Sequence, residues 1–354
     1  MGAIRKGFIS IAARRLLRGD LFWLLRQARK YRRIRTAIRR GDGTTDAPPI
    51  IAHYFCTQRC NLTCPMCDIP GRGGTELDTS GALRVIDELA KLGVSGISFT
   101  GGEPLLRTDI FELIAAAIRN RLETILVTNG IELSRHAAAI ANSGISVVNV
   151  SIDGSTAAIH DASRGKPGSF DRTVEGIASL RAQADKSRAR IQLVASCVLS
   201  PNNISDLDAV IAKCKEIGFD RIVFCPIHVF SPGACHVPLL EAAPGPGHRL
   251  LMHPQRAMID NSSQYLQRLD AVLAGKGVPA GCTAGYTTLI LDHEGCAYPC
   301  KCRFEVRQPL VSAAQNQSLS DIWYGPEFSD FRKSCRSCTD CYMTINREFD
   351  GLFV

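Results

Sequence analysis

Three cysteines on one short stretch, Cys60-Asn-Leu-Thr-Cys64-Pro-Met-Cys67, carry the clearest chemical signal in this chain. Their Cys-x3-Cys-x2-Cys spacing lets three thiolates hold one inorganic centre. A closed [4Fe–4S] cube takes four thiolates, so three on a tight loop leave one iron free for a further ligand. Zinc is the competing reading. Structural zinc takes four closed ligands, often as two Cys-x2-Cys pairs or with histidine. Only His53, inside the preceding apolar run, is near enough in sequence to join.

Other polar motifs recur at the ends of apolar runs. Thr100-Gly101-Gly102-Glu103-Pro104 combines two glycines, which let backbone approach a ligand closely, with a carboxylate suited to a cationic amine. Alone it is also an ordinary turn. Val127-Thr128-Asn129-Gly130 and Val150-Ser151-Ile152-Asp153-Gly154 end two further runs. Ser151 and Asp153, two apart on a strand, would share one face and offer oxygens to a diol; an Asp-Gly turn with a capping serine explains them equally. Arg164 is a candidate for a carboxylate ligand, or for an ion pair with Asp161.

The elements that position these motifs alternate. Strand-like runs at Ile50–Phe55, Gly96–Thr100, Thr124–Val127, Ser146–Ile152, Arg190–Val198 and Arg221–Pro226 are separated by helical stretches. The helices fall near Gly81–Leu92, Ile110–Arg121, Ser134–Asn142, Phe170–Ala182 and Ile204–Ile217. Such alternation predicts an α/β fold with a parallel sheet and right-handed crossovers, either doubly wound or barrel-like. Residues 231–248, rich in proline and glycine, read as a crossing loop, and Ser262–Leu273 as a bridging helix.

Together the motifs resemble the radical S-adenosylmethionine (radical SAM) superfamily. The resemblance implies a partial (β/α)6 TIM-like barrel with its chemistry at the C-terminal strand ends. It implies a [4Fe–4S] cluster on Cys60, Cys64 and Cys67 whose open iron binds the amino and carboxylate groups of SAM. Reductive cleavage of SAM then yields a 5′-deoxyadenosyl radical, with a one-electron donor such as flavodoxin or ferredoxin as partner. Gly101, Gly102 and Glu103 would meet the SAM amino group, Ser151 and Asp153 its ribose, and Arg164 its carboxylate. Backbone near Phe224–Ile227 would meet adenine.

Near the C-terminus stand Cys282, Cys296, Cys300, Cys302, Cys335, Cys338 and Cys341. Tyr286–Leu291, Asp292–Gly295 and Cys296–Cys300 read as a small β-hairpin with ligands at its ends. Leu319 starts a helix to about Lys333. This region is similar to the SPASM and twitch extensions of radical SAM enzymes, which hold auxiliary [4Fe–4S] clusters. A full SPASM domain holds two clusters and ends in Cys-x2-Cys-x5-Cys-x3-Cys; here the run is Cys335-x2-Cys338-x2-Cys341. Cys282 and Cys300 with two of Cys335, Cys338 and Cys341 suffice for one closed cube, so the count favours one auxiliary cluster over two. Zinc is again the alternative. Among the remaining thiols, Cys235 is the candidate to donate hydrogen to a substrate radical.

Of 354 residues, 15 are cysteines, grouped at ligand spacings rather than spread as in disulfide scaffolds, which places the chain in a reducing cytoplasm. The net charge of +8 is an N-terminal property: residues 1–40 hold a dense series of arginines with Asp20 their only acid. Leu21, Leu24, Leu25, Ala28, Tyr31, Ile34 and Ile38 recur there at helical spacing. A basic amphipathic helix of this kind lies either on the inner face of an anionic membrane or on the protein body with its arginines in water. Arginines break every apolar run before it could span a bilayer, and Arg14 and Arg15 interrupt the one signal-peptide-like stretch.

Composition divides the chain into a basic arm and linker (1–48), a barrel core (49–230), a connector (231–276) and a cysteine-rich module (277–354). Peptide-modifying relatives often carry an N-terminal winged-helix recognition domain, for which the arm is too short. The expected substrate is therefore a small molecule, sugar-like or lipid-linked, with hydrogen abstraction leading to a two-electron oxidation. Maturation of a peptide or protein is the alternative. An iron–sulfur electron carrier has no use for the Gly101–Pro104 motif, and only the arm points to nucleic acid.

Overall fold

The computed structural model describes residues 21–231, 234–236, 245–310, 317–339 and 341–353. It opens with helix α1 (Leu21–Arg40), which lies on the body. Strand β1 (Ile51–Thr57) leads into the Cys60–Cys67 loop. Next come α2 (Thr79–Leu92), β2 (Gly96–Gly101), α3 (Ile110–Arg119), β3 (Glu123–Thr128), α4 (Leu133–Asn142) and β4 (Val147–Ser151). Helices α5 (Ala157–Arg164) and α6 (Ser169–Ser187), β5 (Gln192–Leu199), α7 (Leu207–Glu216) and β6 (Arg221–Pro226) complete the alternation.

Strands β1 to β6 pair in sequence order, each parallel to the next. In β3, β4 and β6 buried positions alternate with half-buried ones, and the buried strand positions, such as Ile97, Phe99, Leu126, Val148, Val150 and Leu193, are apolar. The helices present one apolar face each. In α2 that face is Ala82, Ile86, Leu89 and Leu92; Asp78 caps its start by accepting from Gly81 N at 2.7 Å, and left-handed Gly93 ends it. Helix α5 escapes the periodicity reading because it is short. Its follower α6 is capped by Asp161, which accepts from Gly168 N, Ser169 Oγ and Phe170 N.

The connector carries a short antiparallel pair, β7 (Val229–Ser231) and β8 (Ala234–His236), where a plain loop was expected. Residues 237–244 of that loop, and the Cys235 side chain, lie outside the described residues. Helices α8 (Pro246–Met252) and α9 (Ser263–Leu273) follow.

In the C-terminal module, α10 (Ala284–Thr287) leads to β9 (Thr288–Leu291) and β10 (Ala297–Tyr298), the expected hairpin. Strand β9 pairs parallel with β1, so one sheet runs β10-β9-β1-β2-β3-β4-β5-β6. Helix α11 (Lys301–Glu305) follows Cys300 directly. The single helix expected after Leu319 is broken into α12 (Leu319–Tyr324) and α13 (Pro326–Cys335), because Gly325 ends one and Pro326 starts the next. Short helices α14 (Thr344–Arg347) and α15 (Asp350–Phe353) end the described chain.

The far sheet edge is also covered. Asn261 accepts from Phe224 N at 2.7 Å and donates to Phe224 O at 2.9 Å, occupying the free edge of β6. Glu348 in turn takes Asn261 Nδ2 and Ser262 N. Tyr265 stacks on Tyr342 at 4.5 Å, each hydroxyl donating to the other's carbonyl. The cysteine-rich module therefore touches both β1 and the β6 side.

Helix α1 departs from its sequence pattern. The buried residues are Trp23, Gln27, Lys30, Ile34 and Ala37, while Leu21, Leu25 and Ala28 of the expected apolar stripe are exposed. The pattern is rotated because Lys30 turns inward: its ammonium donates to Gly93 O at 2.7 Å and Ser95 Oγ at 2.6 Å, beneath the start of β2. Among the described residues no helix is long and apolar enough to cross a membrane.

Candidate active site

The Cys60–Cys67 loop leaves the C-terminal end of β1 and is held from three directions. Gly102 N donates to Thr57 O at 2.7 Å and Glu103 N to Arg59 O at 2.8 Å, so the end of β2 lies directly against the loop. A Cβ at Gly101, whose φ is +141°, would sit 2.2 Å from Thr57 O, and one at Gly102 would sit 2.3 Å from Arg59 O. Both glycines are thus demanded by chain against chain, where the sequence suggested approach to a ligand. From β3, Asn129 Nδ2 donates to Asn61 Oδ1 at 2.7 Å. From the α5–α6 turn, Lys166 Nζ donates to Asn61 O at 2.9 Å, and Thr63 Oγ1 donates to Gly165 O at 2.8 Å.

Each loop thiol meets a different polar group. Asn129 Nδ2 lies 3.8 Å from Cys60 Sγ, the Arg164 guanidinium hydrogen-bonds Cys64, and the Lys301 ammonium is near enough to Cys67 to favour its thiolate. Burial pushes the Cys60 and Cys67 thiols above their usual range. None of the described cysteines is in a disulfide. Three free thiols, each with a donor or cation beside it, suit a centre that supplies its own positive charge.

Glu103 is fully buried. Its carboxylate accepts from Leu105 N at 3.1 Å, Thr128 Oγ1 at 2.8 Å and Asn129 N at 2.7 Å, and burial pushes its pKa up to about 7 against those donors. Strand β4 ends at Ser151, so Asp153 does not share a strand face with it. Asp153 is fully buried instead, accepting from Val198 N at 2.9 Å and lying 2.7 Å from Arg164. The expected alternative partner of Arg164, Asp161, is spent on capping α6. Two buried polar atoms beside the Asp153–Arg164 ion pair lack a hydrogen-bond partner: Arg164 Nε and His160 Nε2. Such orphans beside Cys64 fit a bound polar ligand.

In the cysteine-rich module a cavity of about 150 Å³ is lined by Cys282, Cys300, Cys302, Cys335, Cys338 and Cys341. Burial drives the Cys282 and Cys300 thiols far up and Cys335 to about 12. Thiolates around one tetrahedral zinc stand about 3.8 Å apart. Among the described residues the group that brings three ligand atoms within 4.8 Å of one another is Asp292, Glu294 and Cys296, not any set from this cavity. The cavity is too open for a lone ion and suits a cube.

A model of the radical SAM superfamily matches residues 54–194, and one of the SPASM iron–sulfur cluster-binding domain matches residues 282–342. The chain belongs to the radical SAM superfamily. As a radical SAM enzyme it uses a SAM-binding [4Fe–4S] cluster and an auxiliary cluster, and acts on an external substrate. It is 28% identical to the PqqA peptide cyclase of Ruegeria pomeroyi over 86% of this chain and 82% of that protein. It is 35% identical to the AdoMet-dependent heme synthase of Methanosarcina barkeri over 49% of each. The crystal structure of Streptococcus suis SuiB bound to precursor peptide SuiA shares the fold, with TM-score 0.65 at 18% identity over 88% of this chain and 72% of that one.

Sequence reasoning missed three groups at this enzyme's centre. Asn129 was read only as the end of a strand-like run, yet it bridges β3 to the cysteine loop. Cys302 was counted among the spares but lines the auxiliary cavity, whereas Cys296 sits apart with Asp292 and Glu294. Lys301 lies between Cys300 and Cys302 in sequence but points away from their cavity. Its ammonium sits 4.1 Å from the Phe55 ring centre and 4.4 Å from that of Phe304, paired with Glu305. One short helix thus turns Cys302 to the auxiliary cavity and Lys301 toward Cys67.

Proposed function

We propose that this radical SAM enzyme modifies a peptide, with Cys60, Cys64 and Cys67 holding the SAM-binding cluster. Cys282 and Cys300, with two of Cys302, Cys335, Cys338 and Cys341, hold one auxiliary cluster. Bound SAM supplies, on one-electron reduction, the radical that abstracts hydrogen. Asn129, Arg164 and Lys301 orient the three loop thiolates, and the two cations balance part of their charge. Glu103 fixes the β3 end against the loop, and Arg164 with His160 offers donors to the SAM carboxylate. Buried Leu62 and Ile69 anchor the loop to the body and leave Cys67 facing outward.

The observation that carries the peptide reading is the extent of likeness to PqqA peptide cyclases. That likeness runs through most of both chains, whereas the likeness to heme synthase covers half of each. This moves the reading from the small, sugar-like or lipid-linked substrate suggested by the short arm to the peptide alternative. The test uses low-mass extract from source cells grown in heavy water, incubated anaerobically with the reconstituted enzyme, unlabelled SAM and dithionite. Deuterium should enter 5′-deoxyadenosine, and protease treatment of the extract beforehand should abolish it. Transfer that survives protease would point to a small molecule and sink the peptide reading.

A further inference from the structure

Helix α1 carries apolar side chains on two arcs. The inner arc is used by the body: Trp23, Gln27, Lys30, Ile34 and Ala37 are buried. The opposite arc begins with Leu21, Phe22 and Leu25, which are 58%, 74% and 52% exposed, three of the few large apolar side chains left in water among the described residues. On that same arc stand Arg26, Arg29, Arg32 and Arg39. Arg33 and Arg40 pair with Asp46 and Asp42, but these four have no acidic partner among the described residues. The helix cannot roll to hide this arc, because Lys30 is hydrogen-bonded to Gly93 and Ser95 and Gln27 accepts from the same Ser95 hydroxyl at 2.6 Å.

We propose that the outward arc of α1 docks on an anionic lipid bilayer, with Leu21, Phe22 and Leu25 entering the acyl boundary and Arg26, Arg29, Arg32 and Arg39 meeting phosphate headgroups. An apolar end in line with uncompensated guanidiniums is what an interfacial helix requires. Nucleic acid would use the arginines and leave Leu21 and Leu25 in water. The placement also orients the enzyme. Lys30 lies beneath the starts of β1 and β2, at Pro49 and Gly93–Ser95, while the Cys60–Cys67 loop leaves the opposite strand ends. Docking by α1 therefore turns the barrel mouth away from the lipid, toward a substrate arriving from water. It stands or falls independently of the peptide reading.

The test is co-sedimentation of the full-length protein with phosphatidylcholine vesicles, with or without phosphatidylglycerol. Two variants accompany it: Phe22→Ser with Leu25→Ser, and Arg26→Gln with Arg29→Gln and Arg32→Gln. All replaced side chains point outward, so melting temperature should hold. Wild type should partition at least about tenfold more onto the anionic vesicles, and each variant should lose about tenfold. Equal binding to neutral vesicles overturns the proposal, as does unchanged binding by the arginine variant. Vesicle-independent self-association abolished by Phe22→Ser would make the arc a contact between copies instead. Tighter, salt-steep binding to a single-stranded RNA would make it a nucleic-acid surface.

Discussion

The guanidinium of Arg164 lies 2.7 Å from Asp153 Oδ2, and the carboxylate it meets is fully buried. Asp153 ends the turn after β4, while Arg164 ends α5 and hydrogen-bonds Cys64, so one ion pair links the barrel wall to the cysteine loop. Asp153→Asn leaves Arg164 buried without its counter-charge and should destabilise the apo-protein by about 3 kcal/mol. The double variant with Arg164→Gln should regain part of that loss. Urea unfolding of all four proteins checks this; additive losses would mean that the two residues do not act as a pair.

The glycines at the end of β2 are steric requirements. Gly101→Ala places a methyl 2.2 Å from Thr57 O at a φ of +141°, and Gly102→Ala one 2.3 Å from Arg59 O. Each should cost at least about 2 kcal/mol and loosen the cysteine loop. Thermal melts of the apo-proteins and iron retained after anaerobic reconstitution are the readouts. A variant with normal melting and full iron would show that the close approach of β2 to the loop is dispensable.

Iron content separates the two cysteine groups. Cys60, Cys64 and Cys67 replaced together by Ala should leave about four irons, and Cys300→Ala should likewise drop wild type's roughly eight to about four. Cys296→Ala should retain the full complement, since Cys296 sits with Asp292 and Glu294 away from the auxiliary cavity. Loss of iron from Cys296→Ala would put that thiol among the auxiliary ligands.

Lys30 makes stability depend on pH. Burial, and then the nearby charge of Arg26, lowers its pKa from 10.5 to about 7. Between those values the unfolded chain binds a proton that the folded chain has released, so stability rises with pH across this window and is flat in this contribution below it. Lys30→Met removes the titration. The difference in unfolding free energy between wild type and variant should therefore shift in favour of wild type from about pH 7 upward. A difference that stays constant across that range would rule out an ammonium forced into a buried site.

Local pattern in the sequence determined the alternating strands and helices, the two cysteine groups and the family they resemble. Strand–helix alternation and ligand spacing are properties of neighbouring residues, legible without contacts. Tertiary structure decided what depends on distant neighbours. Asp153 and Arg164 meet only because α5 folds back over the end of β4. Whether Cys302 or Cys296 faces the auxiliary cavity depends on the direction in which α11 leaves the β9–β10 hairpin. The inner face of α1 was undecidable from hydrophobicity, since apolar residues lie on both arcs. What chose between them was a polar contact, Lys30 with the carbonyl of Gly93 and the hydroxyl of Ser95, and burying a charged residue on such partners has no signature in apolar periodicity.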